Sequence, residues 1–215
     1  MTAAPTENHQ NTLEIHNAVT HGIGVLLGIL FLLLLTIPPA LEGNVLRTVA
    51  YAIYGGCFIL MFLASTIYHG VRVPRLKSIL RIFDHISIYY FILGSFAPVV
   101  LLLTQGKQRI FFLAFLGLLT LSGTVFKIAT ARAYDRLKSL STFTYIAMGW
   151  TAVFLLRPMF RAHLALPLLI ALGGVLYTVG TIFYKNKSLK YHHVIWHLFV
   201  LAAAVTHFFA FYFFL

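Results

Sequence analysis

The sequence predicts an all-α membrane protein, a bundle of seven transmembrane helices, and two observations carry that prediction. Hydrophobic residues make up 60% of the 215-residue chain and charged residues only 10%, against roughly 25% charged in an average soluble domain. The apolar residues are also gathered into seven stretches, each close to or longer than the roughly 17 residues a helix needs to cross the hydrocarbon core. These stretches are continuously apolar, with no alternation of polar and apolar positions, over about twice the length of a barrel strand. Helices follow, not a barrel.

The first stretch, about His21–Ile37, comes after a polar leader. Residues 1–13 are expected to form a polar amino-terminal tail and residues 14–215 one bundle domain, because no later loop exceeds roughly 15 residues. Met1–Asn11 has no Lys or Arg of a secretory signal, and the first apolar run is followed by six more, so cleavage is not expected. Glu14–Thr20 reads as a short interfacial helix, and Glu14 and Asn17 with His21 just beyond it form a polar stripe at helical spacing, either a pocket rim or a solvated helix start, of which composition favours the solvated start. The second stretch, Leu46–His69, contains Gly55-Gly56, which permits close helix approach, and Cys57. As the lone cysteine, Cys57 excludes an internal disulfide and a thiolate metal cluster.

The third stretch, Ile79–Leu103, has Asp84 near its start and Pro98 inside it, where a kink is expected. The fourth and fifth are Ile110–Thr130 and Leu140–Leu156. The sixth, His163–Tyr184, carries Gly173-Gly174, and the seventh, His192–Leu215, is rich in aromatic residues suited to packing and interfacial anchoring.

Charge sets the expected orientation. Of the 16 basic residues, 11 lie in the loops after the second, fourth and sixth stretches, among them Arg72, Arg75, Lys77, Lys127, Lys138 and Lys190. The positive-inside rule then puts the amino terminus in the cytoplasm and the carboxyl terminus outside. The net charge of +11 sits in short interhelical connectors, which suits anionic lipid headgroups and not nucleic acid.

Four ionisable positions converge under this topology. His193 and His197 are four residues apart, which turns both imidazoles to one helical face with Cβ atoms about 6 Å apart. His69 closes the second stretch and Asp84 opens the third, at the end of the bundle where the seventh begins. Ionisable groups in a membrane are expensive and mark function by default. Three imidazoles with one open position form a catalytic zinc arrangement, and nitrogen donors suit zinc better than magnesium or calcium. His69, His193 and His197 are therefore the candidate zinc ligands, with Asp84 placed to orient a water or take its proton. Ser65, one turn before His69, shares its face. The competing reading pairs Asp84 with Arg81 or with the positive end of its helix. His85 and His192 are expected to serve packing or headgroup contacts. His207, about 15 Å beyond His197 along the helix, is expected to make a buried hydrogen bond.

Ser65-Thr-Ile-Tyr-His69, Phe83-Asp84-His85-Ile-Ser-Ile-Tyr89, Gly173-Gly-Val-Leu-Tyr177 and His192-His-Val-Ile-Trp-His197 resemble the motifs of bacterial hemolysin III proteins. That family falls within the superfamily of the adiponectin and progestin receptors. Glu14 with Asn17-Ala-Val-Thr-His21-Gly-Ile-Gly24 is similar to its amino-terminal signature. The resemblance runs from about Glu14 to the end. It implies a seven-helix bundle in the bacterial inner membrane with its amino terminus inside. It further implies zinc on the histidines at 69, 193 and 197, Asp84 contacting zinc through water, and Ser65 beside that centre, as in a wider group that includes alkaline ceramidases. Gly94-Ser-Phe-Ala-Pro98 departs from the family's more usual Gly-Thr-Tyr-Thr-Pro and removes hydroxyls near the proline. The implied activity is hydrolysis of a lipid amide of ceramide type, with a membrane lipid as substrate. There Asp84 would steer water and Ser65 would assist the developing oxyanion. The alternatives are a pore-forming cytolysin, which seven long apolar segments make hard to keep in a soluble state, and a receptor-like module with a structural zinc.

Overall fold

The computed structural model describes residues 7–215. Its helices are α1 (Glu7–Leu41), α2 (Val45–Gly70), α3 (Pro74–Leu103), α4 (Gly106–Ala129), α5 (Tyr134–Trp150), α6 (Leu156–Ala162), α7 (Ala165–Lys185) and α8 (His192–Phe214). Single 3-10 segments, Ala131–Ala133 and Thr151–Leu155, precede α5 and α6. α5, the second 3-10 segment and α6 together make one crossing, Arg136–Ala162, so seven segments among the described residues are long and apolar enough to span a membrane. The protein is a seven-helix membrane bundle.

Three element boundaries differ from the sequence expectation, each for a local reason. First, α1 is one helix from Glu7, so Glu14–Thr20 belongs to the crossing and is not a separate interfacial piece. No proline interrupts it before Pro38, and the turn that follows uses Gly43 at φ 71° with Asn44 capping α2 through the Arg47 amide at 3.1 Å. Second, α3 begins at Pro74, a residue preorganised for the first helical turn. Asp84 therefore lies almost three turns inside α3 and is not at the positive helix end. Third, the fifth crossing is broken. Pro158 has no amide hydrogen and its ring crowds the carbonyl four residues earlier, so Phe154 loses its helical partner, and here the helix is interrupted. The chain tightens to 3-10 at Thr151–Leu155 and restarts at Leu156. Pro98, by contrast, is carried within a continuous α3, at the cost of the Gly94 carbonyl's helical partner.

α1 packs on α2, α2 on α3 and α7 on α8, and α1 closes onto α8. The seam where α1, α2, α3 and α8 meet is aromatic. Phe31 stacks on Phe208 with centroids 3.7 Å apart, and Phe58 meets Tyr54, Phe62 and Phe91. Tyr54, fully buried, satisfies its hydroxyl on the Ala204 carbonyl at 3.2 Å. Large apolar side chains such as Leu26, Val125 and Ile182 point outward on the crossings, as they must where lipid is the solvent. This packing brings the last turn of α2, the middle of α3 and the first turns of α8 together at the end of the bundle that carries the basic loops.

A candidate metal centre between two cavities

His69, in the last turn of α2, and His197, in the second turn of α8, are 5% and 2% exposed. With His193 they present three donor nitrogens that all lie within 4.8 Å of one another. His69 Nε2 and His193 Nε2 are 3.3 Å apart. Two nitrogens bound at roughly 2.0–2.1 Å to a tetrahedral zinc would stand about 3.3 Å from each other, so the spacing fits. The sequence-derived ligand set is thus assembled by the fold, from helices 124 positions apart in the chain.

Nδ1 of His69 and of His197 is already engaged, which fixes the nitrogen each of these two has left for a metal. His69 Nδ1 donates to the Glu14 carboxylate at 2.9 Å, and the same oxygen accepts from Lys77 Nζ at 2.7 Å. His197 Nδ1 donates to the Asn17 carbonyl at 3.2 Å and lies 3.3 Å from the Thr20 hydroxyl. Each of these leaves Nε2 as the ligating atom. A carboxylate or carbonyl behind a ligating histidine sets its tautomer and raises its basicity.

Glu14, Asn17 and Thr20 all come from α1, and here the sequence expectation is corrected. The stripe of Glu14, Asn17 and His21 is not a solvated helix start. Asn17 and His21 are each 4% exposed, and the stripe forms one wall of the site. The signal was present in the three- and four-residue spacing, but composition alone favours a solvated start over a pocket rim.

Asp84 faces the site from α3, with Ser65 and His69 near its carboxylate and Ser65 on the same cavity wall. Ser65 is 1% exposed. His85 was expected to turn away from Asp84; instead it lines the same cavity, with Nδ1 bonded to the Arg81 carbonyl at 2.6 Å and 3.6 Å from Asp84 Oδ2. One helical step does not remove a side chain from a cavity this wide. His207 does make the expected buried hydrogen bond, from Nε2 to the Ile170 carbonyl at 3.2 Å.

Two cavities meet at the histidines. One, of about 290 Å³, runs inside the bundle past Ser65, Asp84, His197, Phe91, Val99 and Leu155, and its walls are mostly apolar. The other, about 590 Å³, is a polar mouth between the start of α1, the α2–α3 link and the start of α8, lined by Glu14, His69, Arg72, Lys77 and Lys190. His193 lines both. The three histidines therefore stand between a mostly apolar cavity inside the bundle and a second one lined by charged groups on the loop side.

The profile of the haemolysin-III related family matches residues 9–208. Among similar proteins, the hemolysin-3 homolog of Bacillus subtilis is 41% identical over 197 residues, 91% of each chain. Hemolysin-3 of Bacillus cereus is 37% identical over 199 residues, 91% of this chain and 89% of that one. The human monocyte to macrophage differentiation factor is 29% identical over 189 residues, covering 81% of this chain and 77% of its own.

Proposed function

Because the chain belongs to the haemolysin-III related family of multi-pass membrane proteins, we propose that it uses its three-histidine centre to hydrolyse a lipid amide in a bacterial membrane. The observation that supports this most is the position of His69, His193 and His197 between a mostly apolar cavity and a polar mouth, with Asp84 facing them. A solely structural zinc site is normally closed by four protein ligands, whereas three imidazoles leave one position open.

A zinc ion bound there supplies a Lewis acid for the amide carbonyl and acidifies water. The chain's own groups account for the rest. The apolar cavity holds the acyl chain and excludes bulk water from it. Glu14 and the Asn17 carbonyl keep His69 and His197 turned with Nε2 inward. Asp84, with Ser65 near its carboxylate, takes a proton from the water that adds to the acyl carbon. It returns that proton to the departing amine as the carbon–nitrogen bond breaks, giving a fatty acid and an amine. Water for the reaction is drawn from the polar mouth.

The test is incubation of the purified protein in nanodiscs with a bacterial lipid extract and with N-acylsphingosine, followed by mass spectrometry. Free fatty acid and amine are expected to accumulate, to stop on chelation and to resume on adding zinc. If no amide lipid is consumed by zinc-loaded protein, the hydrolase reading fails and a receptor-like module with a structural zinc takes its place.

A further inference from the structure

The chemistry above engages only the end of the apolar cavity that meets the histidines. Deeper in, Tyr177 of α7 lines the same cavity, alongside such apolar groups as Phe91, Val99 and Val200. Among the described residues its hydroxyl has no hydrogen-bond partner. The hydroxyl is not sealed in, because Tyr177 is half-buried and its oxygen keeps accessible surface. It stands near the hydroxyl of fully buried Tyr54, inside the bundle, so the surface it keeps is cavity surface and not lipid-facing. The ring is held edge-on against His207 with centroids 5.8 Å apart, and His207 is itself tied to the Ile170 carbonyl at 3.2 Å. About one turn earlier on α7, Gly173 packs on His207; about one turn later, Gly180 packs on Trp196 and Phe199. Tyr177 therefore lies between the levels of His197 and His207, about 10–15 Å from the histidine cluster along the bundle axis. A phenylalanine would fill the same space, so packing alone does not explain the hydroxyl. A phenol facing hydrocarbon forgoes the hydrogen bond it would make in water.

We propose that Tyr177 selects lipids whose acyl chain carries an acceptor oxygen, a keto or epoxide group, about midway along its length. With the acyl carbonyl at the three histidines, an extended chain reaches the depth of Tyr177 after roughly eight to twelve carbons. An oxygen there accepts the phenolic proton, whereas a plain methylene leaves the phenol unsatisfied. The cavity walls are mostly apolar, so little else competes for either partner and the bond is stronger than it would be in water. An oxygen close to the carbonyl end falls short of Tyr177, and selection is by position as well as by polarity. Tyr177 is then a specificity-determining residue remote from the metal, and this rests on the reading of the cavity as a lipid site.

The chain's two tryptophans, Trp150 and Trp196, both line the cavity, so intrinsic fluorescence reports occupancy. Free acids, the product side of the proposed hydrolysis, bind without turnover. Zinc-loaded protein in detergent is titrated with octadecanoic acid, with its ketone at the tenth carbon and with the isomer whose ketone is at the fifth. The parent is expected to bind the tenth-carbon ketone roughly tenfold more tightly than the plain acid, the difference that one satisfied donor makes in an apolar site. The fifth-carbon ketone should show no such gain. Tyr177→Phe keeps the ring against His207 and should bind all three acids alike, with zinc content unchanged. Where Tyr177→Phe does not fold, the parent's ranking of the two ketones decides. Equal affinity of the parent for the plain acid and the tenth-carbon ketone would mean that water satisfies the phenol and would overturn the proposal. So would an undiminished preference in Tyr177→Phe, or an equal gain for the fifth-carbon ketone. A parent that binds none of the acids refutes the lipid reading itself, whereas one that binds all three alike refutes only the role of Tyr177.

Discussion

Glu14 and His69 stand 55 positions apart in the chain and on different helices, yet the carboxylate Oε2 of one is 2.9 Å from the imidazole Nδ1 of the other. Lys77 Nζ holds the same oxygen at 2.7 Å, so the carboxylate is itself fixed in place. Through this contact the start of α1 sets the tautomer of His69 at the end of α2. Glu14→Ala should weaken zinc binding about 10- to 100-fold, the usual effect of removing a hydrogen-bond partner behind a ligating histidine. Competition with a chromophoric chelator measures it. Glu14→Gln, which still accepts from Nδ1, should lose much less. Equal affinity in Glu14→Ala and the parent would remove Glu14 from the centre.

Zinc content separates ligands from bystanders. Alanine at His69, His193 or His197 reduces a three-nitrogen site to two, and each variant should purify with far less than one zinc per chain. His192→Ala should keep its metal, because His192 lies outside the cluster of three. Elemental analysis of the four proteins checks this, and full occupancy in all three ligand variants would refute the site.

The fold was legible in the sequence because lipid leaves few solutions: seven uninterrupted apolar runs can satisfy their backbones only as helices. The cluster of three histidines was legible because His193 and His197 share a face by local geometry, and His69 ends a helix that returns to their depth. What stayed hidden depended on α1. The spacing of Glu14, Asn17 and His21 shows a common face, but nothing local says whether that face meets solvent or the bundle. The answer lies in Gly28, where an added Cβ would come within 2.7 Å of Phe58, and in its neighbour one turn earlier, Gly24, which would meet Phe62. These small residues let α1 lie close on α2 and bring the stripe against His69 and His197. The break before α6 was visible as Pro158 alone, and the cavity-facing position of His85 required knowing the width of the cavity.

Gly173 on α7 is filled against His207 of α8. A Cβ there would overlap His207 Nε2 and approach the Ala203 carbonyl to 3.3 Å, while the His207 ring is tied to the Ile170 carbonyl at 3.2 Å. Gly173→Ala should therefore destabilise the protein by about 1–3 kcal/mol, as overpacking does. Thermal unfolding in detergent measures the drop. At Gly56 an added Cβ meets nothing within 4 Å, so Gly56→Ala should leave the midpoint near that of the parent.

The basic loops predict how the bundle sits in its membrane. With 11 of 16 basic residues at the end where the amino terminus lies, a reporter fused before α1 should behave as cytoplasmic and one fused after Leu215 as extracytoplasmic. The polar mouth with Arg72, Lys77 and Lys190 would then open on the cytoplasm. Reporters of the opposite sense at both ends would turn the mouth outward.

Asp84 tests chemistry apart from metal binding. It lies on α3, outside the three nitrogens that form the cluster, with Ser65 near its carboxylate on the same cavity. Asp84→Asn keeps the size of the side chain but cannot take a proton from water. Zinc per chain should stay near the parental value, while hydrolysis of an amide lipid should fall by roughly 10²–10⁴-fold, the usual contribution of a general base. Ser65→Ala should cost less, because it leaves the carboxylate in place. Mass-spectrometric product release and elemental analysis, run on the same preparations, give both quantities. If Asp84→Asn loses zinc as completely as His69→Ala, Asp84 holds the metal and is not the proton acceptor. If it keeps both zinc and the parental rate, the proton goes elsewhere, and His85, 3.6 Å from Asp84 on the same cavity wall, becomes the group to replace next.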